Sequence, residues 1–95
     1  MAIEMRQELP GLTREQAAAI AAEVNGRAKT APGFIAHASG PIPGGYHVTE
    51  LWESQEAFER FSAEVIAPLM QRLGVQLSGP LAPPRYLPVD NVVTR

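Results

Sequence analysis

The chain switches between two hydrophobic periods, and the order of these switches is the feature that most constrains its fold. Apolar and polar residues alternate over residues 2–8, 33–39 and 45–53, which predicts three strands. Residues 85–93 predict a fourth strand, and Pro88 confines it to a sheet edge or a bulge. Helical runs follow the first and third strands, so the order of elements is β-α-β-β-α-β.

The first helical run begins at a capping box. Thr13 can accept from the backbone of Gln16, and the Gln16 side chain can reach back to Thr13. Apolar residues then recur at helical spacing from Arg14 to about Asn25, and these are Ala17, Ile20, Ala21 and Val24. Asn25-Gly26 predicts a left-handed stop there. The many alanines predict a thin helix that can lie close to a sheet.

The second helical run begins at Ser54, a good N-cap residue. Its apolar stripe consists of Phe58, Phe61, Val65, Leu69 and Leu73, widened by Ala57, Ile66 and Met70. Pro68 removes one backbone hydrogen bond and predicts a bend near Glu64, and Gly74 predicts the C-terminal cap. Residues 75–84 read as an irregular, stiff tail because Pro80, Pro83 and Pro84 favour extended backbone.

This order of elements is the split β-α-β pattern of a ferredoxin-like α+β domain. We expect one such domain over residues 1–95, with two helices covering one face of a four-stranded antiparallel sheet. The other face would then be bare, and it also carries apolar groups. A bare apolar sheet face needs a partner, so we expect a homodimer packed sheet against sheet.

Composition excludes several classes of function. The net charge is −2 without any basic run, which argues against nucleic acid and membrane surfaces as partners. The chain has no cysteine, so disulfides, thiolate catalysis and zinc–thiolate sites are excluded. No apolar stretch resembles a signal peptide or approaches the ~20 residues of a membrane span, and we expect a cytoplasmic protein. The preference for Arg, Ala, Gly and Pro is typical of a GC-rich bacterial genome.

Two segments carry a resemblance to a known family. Residues 50–58, ELWESQEAF, resemble the E-x-W-x-S-x-E-A passage of the antibiotic-biosynthesis-monooxygenase-like branch of the dimeric α/β-barrel superfamily. Residues 9–16, LPGLTREQ, resemble the L-P-G-x-T-x-E-Q opening of many of its small uncharacterised members. The resemblance covers nearly the whole chain. It implies a dimeric α/β barrel, in a group that includes cofactor-free oxygenases, haem-degrading enzymes and isomerases.

One position departs from that family. Oxygenase-like members usually place a histidine four residues after the alanine of the second motif, where this chain has Phe61. Haem-degrading members use an Asn–Trp–His set, and neither its asparagine nor its histidine can be assigned in this sequence.

The register of the central hairpin decides where the two histidines lie. An odd number of loop residues could place His37 directly across from His47 as a metal pair. An even number pairs His37 with a residue such as Val48 and puts the histidines on opposite faces. We favour an even loop of residues 40–45, and therefore no metal site. In that arrangement Phe34, Ala36, Ala38 and Leu51 meet the Ala-rich helix. The other face turns to the barrel interior and carries Ile35, His37, Val48, Glu50 and Trp52.

His37 and Glu50 are the predicted catalytic residues, because an imidazole and a carboxylate in a partly dry cavity can exchange a proton with a ligand. Trp52, Tyr46 and Arg6 are the predicted ligand-binding residues, with Trp52 as an apolar wall. Arg6 reaches this cavity only if its side of the first strand faces it. The competing interpretation makes Trp52 a core or interface residue, Tyr46 an interface aromatic, and Glu50–His37 a buried cross-strand hydrogen bond.

Two kinds of function therefore stay open. The first is an oxygenase- or isomerase-type enzyme that acts on a small aromatic or apolar ligand in the cavity between the two sheets, without metal or organic cofactor. The second is a dimeric binding or interaction module without catalysis. The sequence does not decide whether the chain is an enzyme.

Overall fold

The computed structural model describes residues 1–79 and 81–95, so the expectation for Pro80 lies outside the described residues. The elements are β1 (Ile3–Pro10), α1 (Arg14–Lys29), β2 (Phe34–Ile42), β3 (Gly45–Trp52), α2 (Gln55–Phe61), a π-helical turn (Ser62–Ile66), α3 (Ala67–Arg72) and β4 (Arg85–Pro88). All strand pairs are antiparallel, and the sheet order is β2-β3-β1-β4. The predicted α+β ferredoxin-like fold is confirmed.

Helix α1 starts where predicted and ends later. The Thr13 hydroxyl accepts from the Gln16 amide at 3.1 Å, and the Thr13 amide donates to the Gln16 side chain at 3.0 Å, which completes the capping box. The predicted stop at Asn25-Gly26 is wrong, because the helix continues to Lys29. Gly26 is not among the glycines with positive φ. Continuing the helix adds Ala28 to the core, which outweighs the weak helix propensity of one glycine.

The second helical run is continuous but changes its hydrogen bonding midway. Ser54 caps α2 by accepting from the Ala57 amide at 3.1 Å. The Ala67 amide then donates to the Ser62 carbonyl, five residues back, as in a π-helix. Pro68 lacks an N–H and cannot satisfy the carbonyl of Glu64, four residues before it, and where a bend is predicted the helix forms this π-helical turn.

The ends of the last two elements follow the predictions in part. Gly74 ends the helical run with a φ of 65°. β4 covers only Arg85–Pro88, shorter than the predicted strand. It lies at the sheet edge, as Pro88 requires.

The hairpin between β2 and β3 is tighter than predicted. Both strands extend to leave the two-residue turn Pro43-Gly44, in which Gly44 has a φ of 78°. The number of loop residues is therefore even, as favoured, and the histidines lie on opposite faces. The expected pairing of His37 with Val48 is wrong, because His37 lies opposite Glu50.

A β-bulge near the start of β2 changes which residues share a face. Phe34 pairs with Trp52 and Ala36 pairs with Leu51, so Ile35 is the extra residue. Phe34 therefore joins the face of His37, although strict alternation would place it on the other side.

The hydrophobic core lies between the sheet and the helices. Its buried members are Met5, Val24, Ala28, Trp52, Phe58, Phe61, Val65 and Leu69. The face of Trp52 and Glu50 thus meets the helices, and the prediction that it faces the barrel interior is wrong. The indole of Trp52 packs against the aromatic side chains of α2, whereas the small side chains of Ala36 and Ala38 remain on the opposite side of the sheet. We call that side the open face. Within the described residues, no helix has the length and apolarity needed to cross a bilayer.

Candidate functional site

The centre of the candidate site is a hydrogen-bonded pair across the β2–β3 hairpin. Nδ1 of His37 lies 2.6 Å from Oε2 of Glu50, directly opposite it in the register. Glu50 is buried, with 5% of its surface exposed, whereas 26% of the His37 side chain is exposed. An ionised carboxylate can only accept, so beside an ionised Glu50 the hydrogen is expected on Nδ1 of His37, with Nε2 left as the nitrogen that can meet a ligand.

The second carboxylate oxygen of Glu50 is held by the indole of Trp52. Nε1 of Trp52 donates to Oε1 of Glu50 at 2.9 Å, and the two residues share a face because they are two apart on β3. Trp52 is fully buried and packs edge-on against Phe34 and Phe58, with ring centroids 5.4 and 6.0 Å away. Glu50 is therefore fixed at both oxygens, which holds the imidazole in one orientation.

A cavity of about 60 Å³ lies between α1 and the hairpin, with His37 in its wall. Its apolar lining comes from Leu9, Leu12, Ala17, Ile20, Ala21, Val24 and Val48, and its polar lining from Asn25, His37, Ser39 and Tyr46. We call it the α1 cavity. The short alanine side chains of α1 leave this space open. The predicted position between two sheets is corrected accordingly: the cavity lies between sheet and helix.

The structure brings together some of the predicted site residues and separates others. His37, Glu50 and Tyr46 lie at or beside the α1 cavity. Trp52 is a core residue and does not line it. Arg6 lies outside it on the open face, where its Nε is 2.7 Å from Glu4.

Two polar residues of the cavity wall were not predicted from sequence. Asn25 reads as a helix stop, but because α1 continues it lies one turn after Ala21 on the same helix face. Its helical spacing was the available signal. Ser39 belongs to the face of His37 by simple alternation, and it lies opposite Val48.

Phe61 occupies the position where the oxygenase-like members of the family that this chain resembles usually have a histidine, and here it belongs to the core. It is buried, and its ring centroid lies 5.3 Å from that of Trp52. The described residues contain no cluster of three or more His, Asp or Glu side chains placed to hold a metal ion.

Comparison with known proteins finds solved structures of similar fold. No family model and no curated protein sequence matches this chain. A monooxygenase encoded by ActVA-Orf6 of Streptomyces coelicolor, solved with nanaomycin D, is 20% identical, with a TM-score of 0.65 over 99% of this chain and 90% of its own.

Two further solved structures extend the comparison. A candidate antibiotic biosynthesis monooxygenase from Chloroflexus aurantiacus is 19% identical, with a TM-score of 0.66 over 97% of both chains. SnoaB, a cofactor-independent oxygenase from Streptomyces nogalater, is 14% identical, with a TM-score of 0.62 over 96% of this chain and 94% of its own. The fold of this chain is therefore that of the antibiotic-biosynthesis-monooxygenase-like proteins, as its two sequence motifs predict.

Proposed function

We propose that this protein is a small-molecule enzyme of the cofactor-independent oxygenase type, in which His37 accepts a proton from a substrate bound in the α1 cavity. The observation that carries the proposal is the 2.6 Å contact between His37 and the buried Glu50 at the wall of that cavity. A carboxylate that fixes one ring nitrogen leaves the other as a positioned general base.

The cavity favours a substrate with an apolar end and a polar group beside it. Its volume of about 60 Å³ admits only a small part of a molecule, since a water molecule takes up roughly 30 Å³. The remainder would lie along the opening, where Asn25, His37 and Ser39 are exposed. An aromatic compound with an acidic C–H or O–H at its edge fits this arrangement.

The proposed reaction balances with dioxygen as the co-reactant. His37 takes a proton from an activated CH₂ group, and the resulting carbanion is the electron donor to dioxygen. The carbon gains one oxygen atom as a carbonyl, and its two hydrogens leave with the other oxygen atom as water. The fold relatives named above support this chemistry, because two of them are described as a monooxygenase and a cofactor-independent oxygenase.

Oxygen uptake tests the proposal directly. The purified protein, treated with a chelator, is supplied with a panel of polycyclic phenols and aryl ketones while dissolved oxygen is recorded. His37→Gln should lower the rate by about 10²–10⁴-fold, the usual contribution of a general base. His47→Gln is the matched control, because His47 lies on the open face. Equal rates for both variants would contradict the proposed role of His37.

The second candidate function is a binding module that holds the same kind of ligand without turnover. The small volume of the cavity and the core role of Phe61 favour it. Ligand binding that depends on Ala21 remaining small, with no oxygen uptake by any variant, would support this function over the enzymatic one.

We also propose that two copies pair through their open faces. No helix of the described chain covers this face, which presents Ala36, Ala38, Leu51 and the partly exposed Leu87. The face also carries Arg6, His47 and Arg85 around a groove of about 260 Å³, so it is more polar than the sequence suggested. Sedimentation should give a mass of twice 10.3 kDa, and Leu51→Glu should reduce this mass to that of a single chain. A wild-type monomer at micromolar concentration would overturn the dimer.

A further inference from the structure

A second cleft lies at the C-terminal end of α1, beyond the α1 cavity. It has a volume of about 400 Å³ and opens between the C-terminal end of α1 and the run formed by α2 and the π-helical turn. We call it the helix cleft. Within the described chain it shares no lining residue with the α1 cavity. Its size falls in the range of small-ligand pockets, about 300–1,000 Å³.

The walls of the helix cleft carry charges of both signs. Arg27 and Arg60 supply the positive charges, and the negative charges come from Glu53, Glu56 and Glu64. In the part of the chain that the structure describes, none of these side chains forms an ion pair. The i,i+4 spacing of Arg60 with Glu56 and Glu64 would allow pairs along the helix, yet none forms. The charges are therefore available to a ligand.

The floor of the cleft is apolar and firmly built. Phe61 and Val65 belong to the buried core and also line the cleft. At one end the backbone of Gly33 lies so close to Ala57 that an added Cβ would come within 2.8 Å of the alanine Cβ. The Glu53 amide donates to the Gly33 carbonyl at 2.7 Å, which ties this end of the cleft to the end of β3.

The π-helical turn supplies part of one wall. Glu64 and Val65 both lie within it and both line the cleft. Single π-turns inside helices recur at functional sites, because they change the direction of side chains relative to a regular helix. The turn, which the missing N–H of Pro68 causes, thus places one of the charges and part of the apolar floor in the same wall.

We propose that the helix cleft binds a small zwitterion with an apolar body, such as an α-amino acid with an aromatic or aliphatic side chain. A guanidinium offers a carboxylate a pair of parallel hydrogen bonds, and the glutamates attract an ammonium group. A purely anionic ligand would meet three carboxylates, and a purely cationic one would leave both arginines unused. The apolar body would lie against the half-buried Ala31 and Ala57, above the buried Phe61 and Val65.

Titration of the full chain with L-phenylalanine, followed by amide NMR, tests this site. We expect millimolar binding that shifts the amides of Gly33, Ala57 and Phe61 and leaves those of His37 and Tyr46 unchanged. 3-Phenylpropanoate lacks the ammonium group and 2-phenylethylamine lacks the carboxylate. Each should bind about tenfold more weakly, the factor that losing one charge-assisted contact produces.

Variants identify the charges that act. Arg60→Gln should weaken L-phenylalanine binding about tenfold, and Arg27→Gln provides a second test on the opposite wall. Arg14→Gln is the matched control, since Arg14 is an exposed arginine of α1 outside the cleft. The proposal is overturned if L-phenylalanine causes no shifts at about 20 mM, if the three compounds bind alike, or if both variants bind as the wild type does.

Discussion

Glu50 accepts a hydrogen bond from the indole of Trp52, two residues further along β3, through an oxygen 2.9 Å from Nε1. Its other oxygen lies 2.6 Å from His37. The same carboxylate thus belongs both to the buried core and to the wall of the α1 cavity. Structural and functional interpretations of Glu50 are compatible, because fixing the core indole also fixes the imidazole.

The first prediction concerns the hydrogen on His37. The Glu50 carboxylate accepts from Nδ1, so neutral His37 should be the Nδ1–H tautomer with a free lone pair on Nε2. Long-range ¹H–¹⁵N correlation spectra distinguish the two tautomers directly. His47 is the internal comparison, since no carboxylate of the described residues bonds to its imidazole. An Nε2–H tautomer at His37 would remove the basis for its proposed role as a base.

The second prediction concerns the stability that Glu50 provides. Glu50→Ala leaves the buried indole N–H of Trp52 without its acceptor, which should cost about 1–3 kcal/mol in the free energy of unfolding. Glu50→Gln keeps a carbonyl acceptor and should cost less. The measurement is urea denaturation followed by circular dichroism at one fixed protein concentration, because the stability of the proposed dimer would depend on concentration.

Glu56→Ala is the control for this series. Glu56 is exposed in the first turn of α2 and should change the free energy of unfolding by at most about 0.5 kcal/mol. If Glu50→Ala were no more destabilising than this control, the bond to Trp52 would contribute nothing to stability.

The order of elements could be predicted from sequence because periodicity and caps are local signals. The capping box at Thr13 and the cap at Gly74 depend on a few neighbouring residues and appear where predicted, and the π-helical turn lies where Pro68 predicts a bend. The end of α1 could not be predicted in this way. It depends on the burial of Ala28, which is a tertiary contact.

The faces of the sheet required information that local pattern does not contain. One extra residue at Ile35 moves Phe34 to the side of Trp52, and such a bulge leaves no clear mark in alternation. Pairing the small residues of β2 with the thin helix α1 also assigned the candidate site to the wrong face of the sheet. The decisive contact is instead between Trp52 and the aromatic side chains of α2, Phe58 and Phe61. The association of His37 with Glu50 was predictable, because simple alternation along β2 and β3 places both side chains on the same face of the sheet.

The third prediction concerns stability at high pH. Burial raises the pKa of the Tyr86 phenol, and the nearby Glu59 carboxylate raises it further. The folded chain therefore keeps the phenolic proton at a pH where the unfolded chain, with a pKa near 10, has lost it. Stability should be unaffected below about pH 10 and should fall as the pH rises above it.

Two variants separate this effect from general alkaline denaturation. In Tyr46→Phe the only remaining tyrosine is Tyr86, so the ultraviolet absorbance of phenolate reports its titration alone. That absorbance should appear at higher pH in the folded protein than in urea. Tyr86→Phe should show a shallower loss of stability above pH 10. Titration at the same pH with and without urea would contradict the effect of burial.

The fourth prediction concerns two glycines, one with free space for a Cβ atom and one without. Gly26 lies inside α1 with nothing within 4 Å of an added Cβ, so Gly26→Ala should stabilise the protein by about 0.5–1 kcal/mol. Gly33 has a φ of 86°, and its added Cβ would come within 2.8 Å of Ala57. Gly33→Ala should therefore destabilise by more than about 1 kcal/mol. Urea denaturation measures both, and a destabilising Gly26→Ala would mean that α1 stops at Asn25-Gly26 after all.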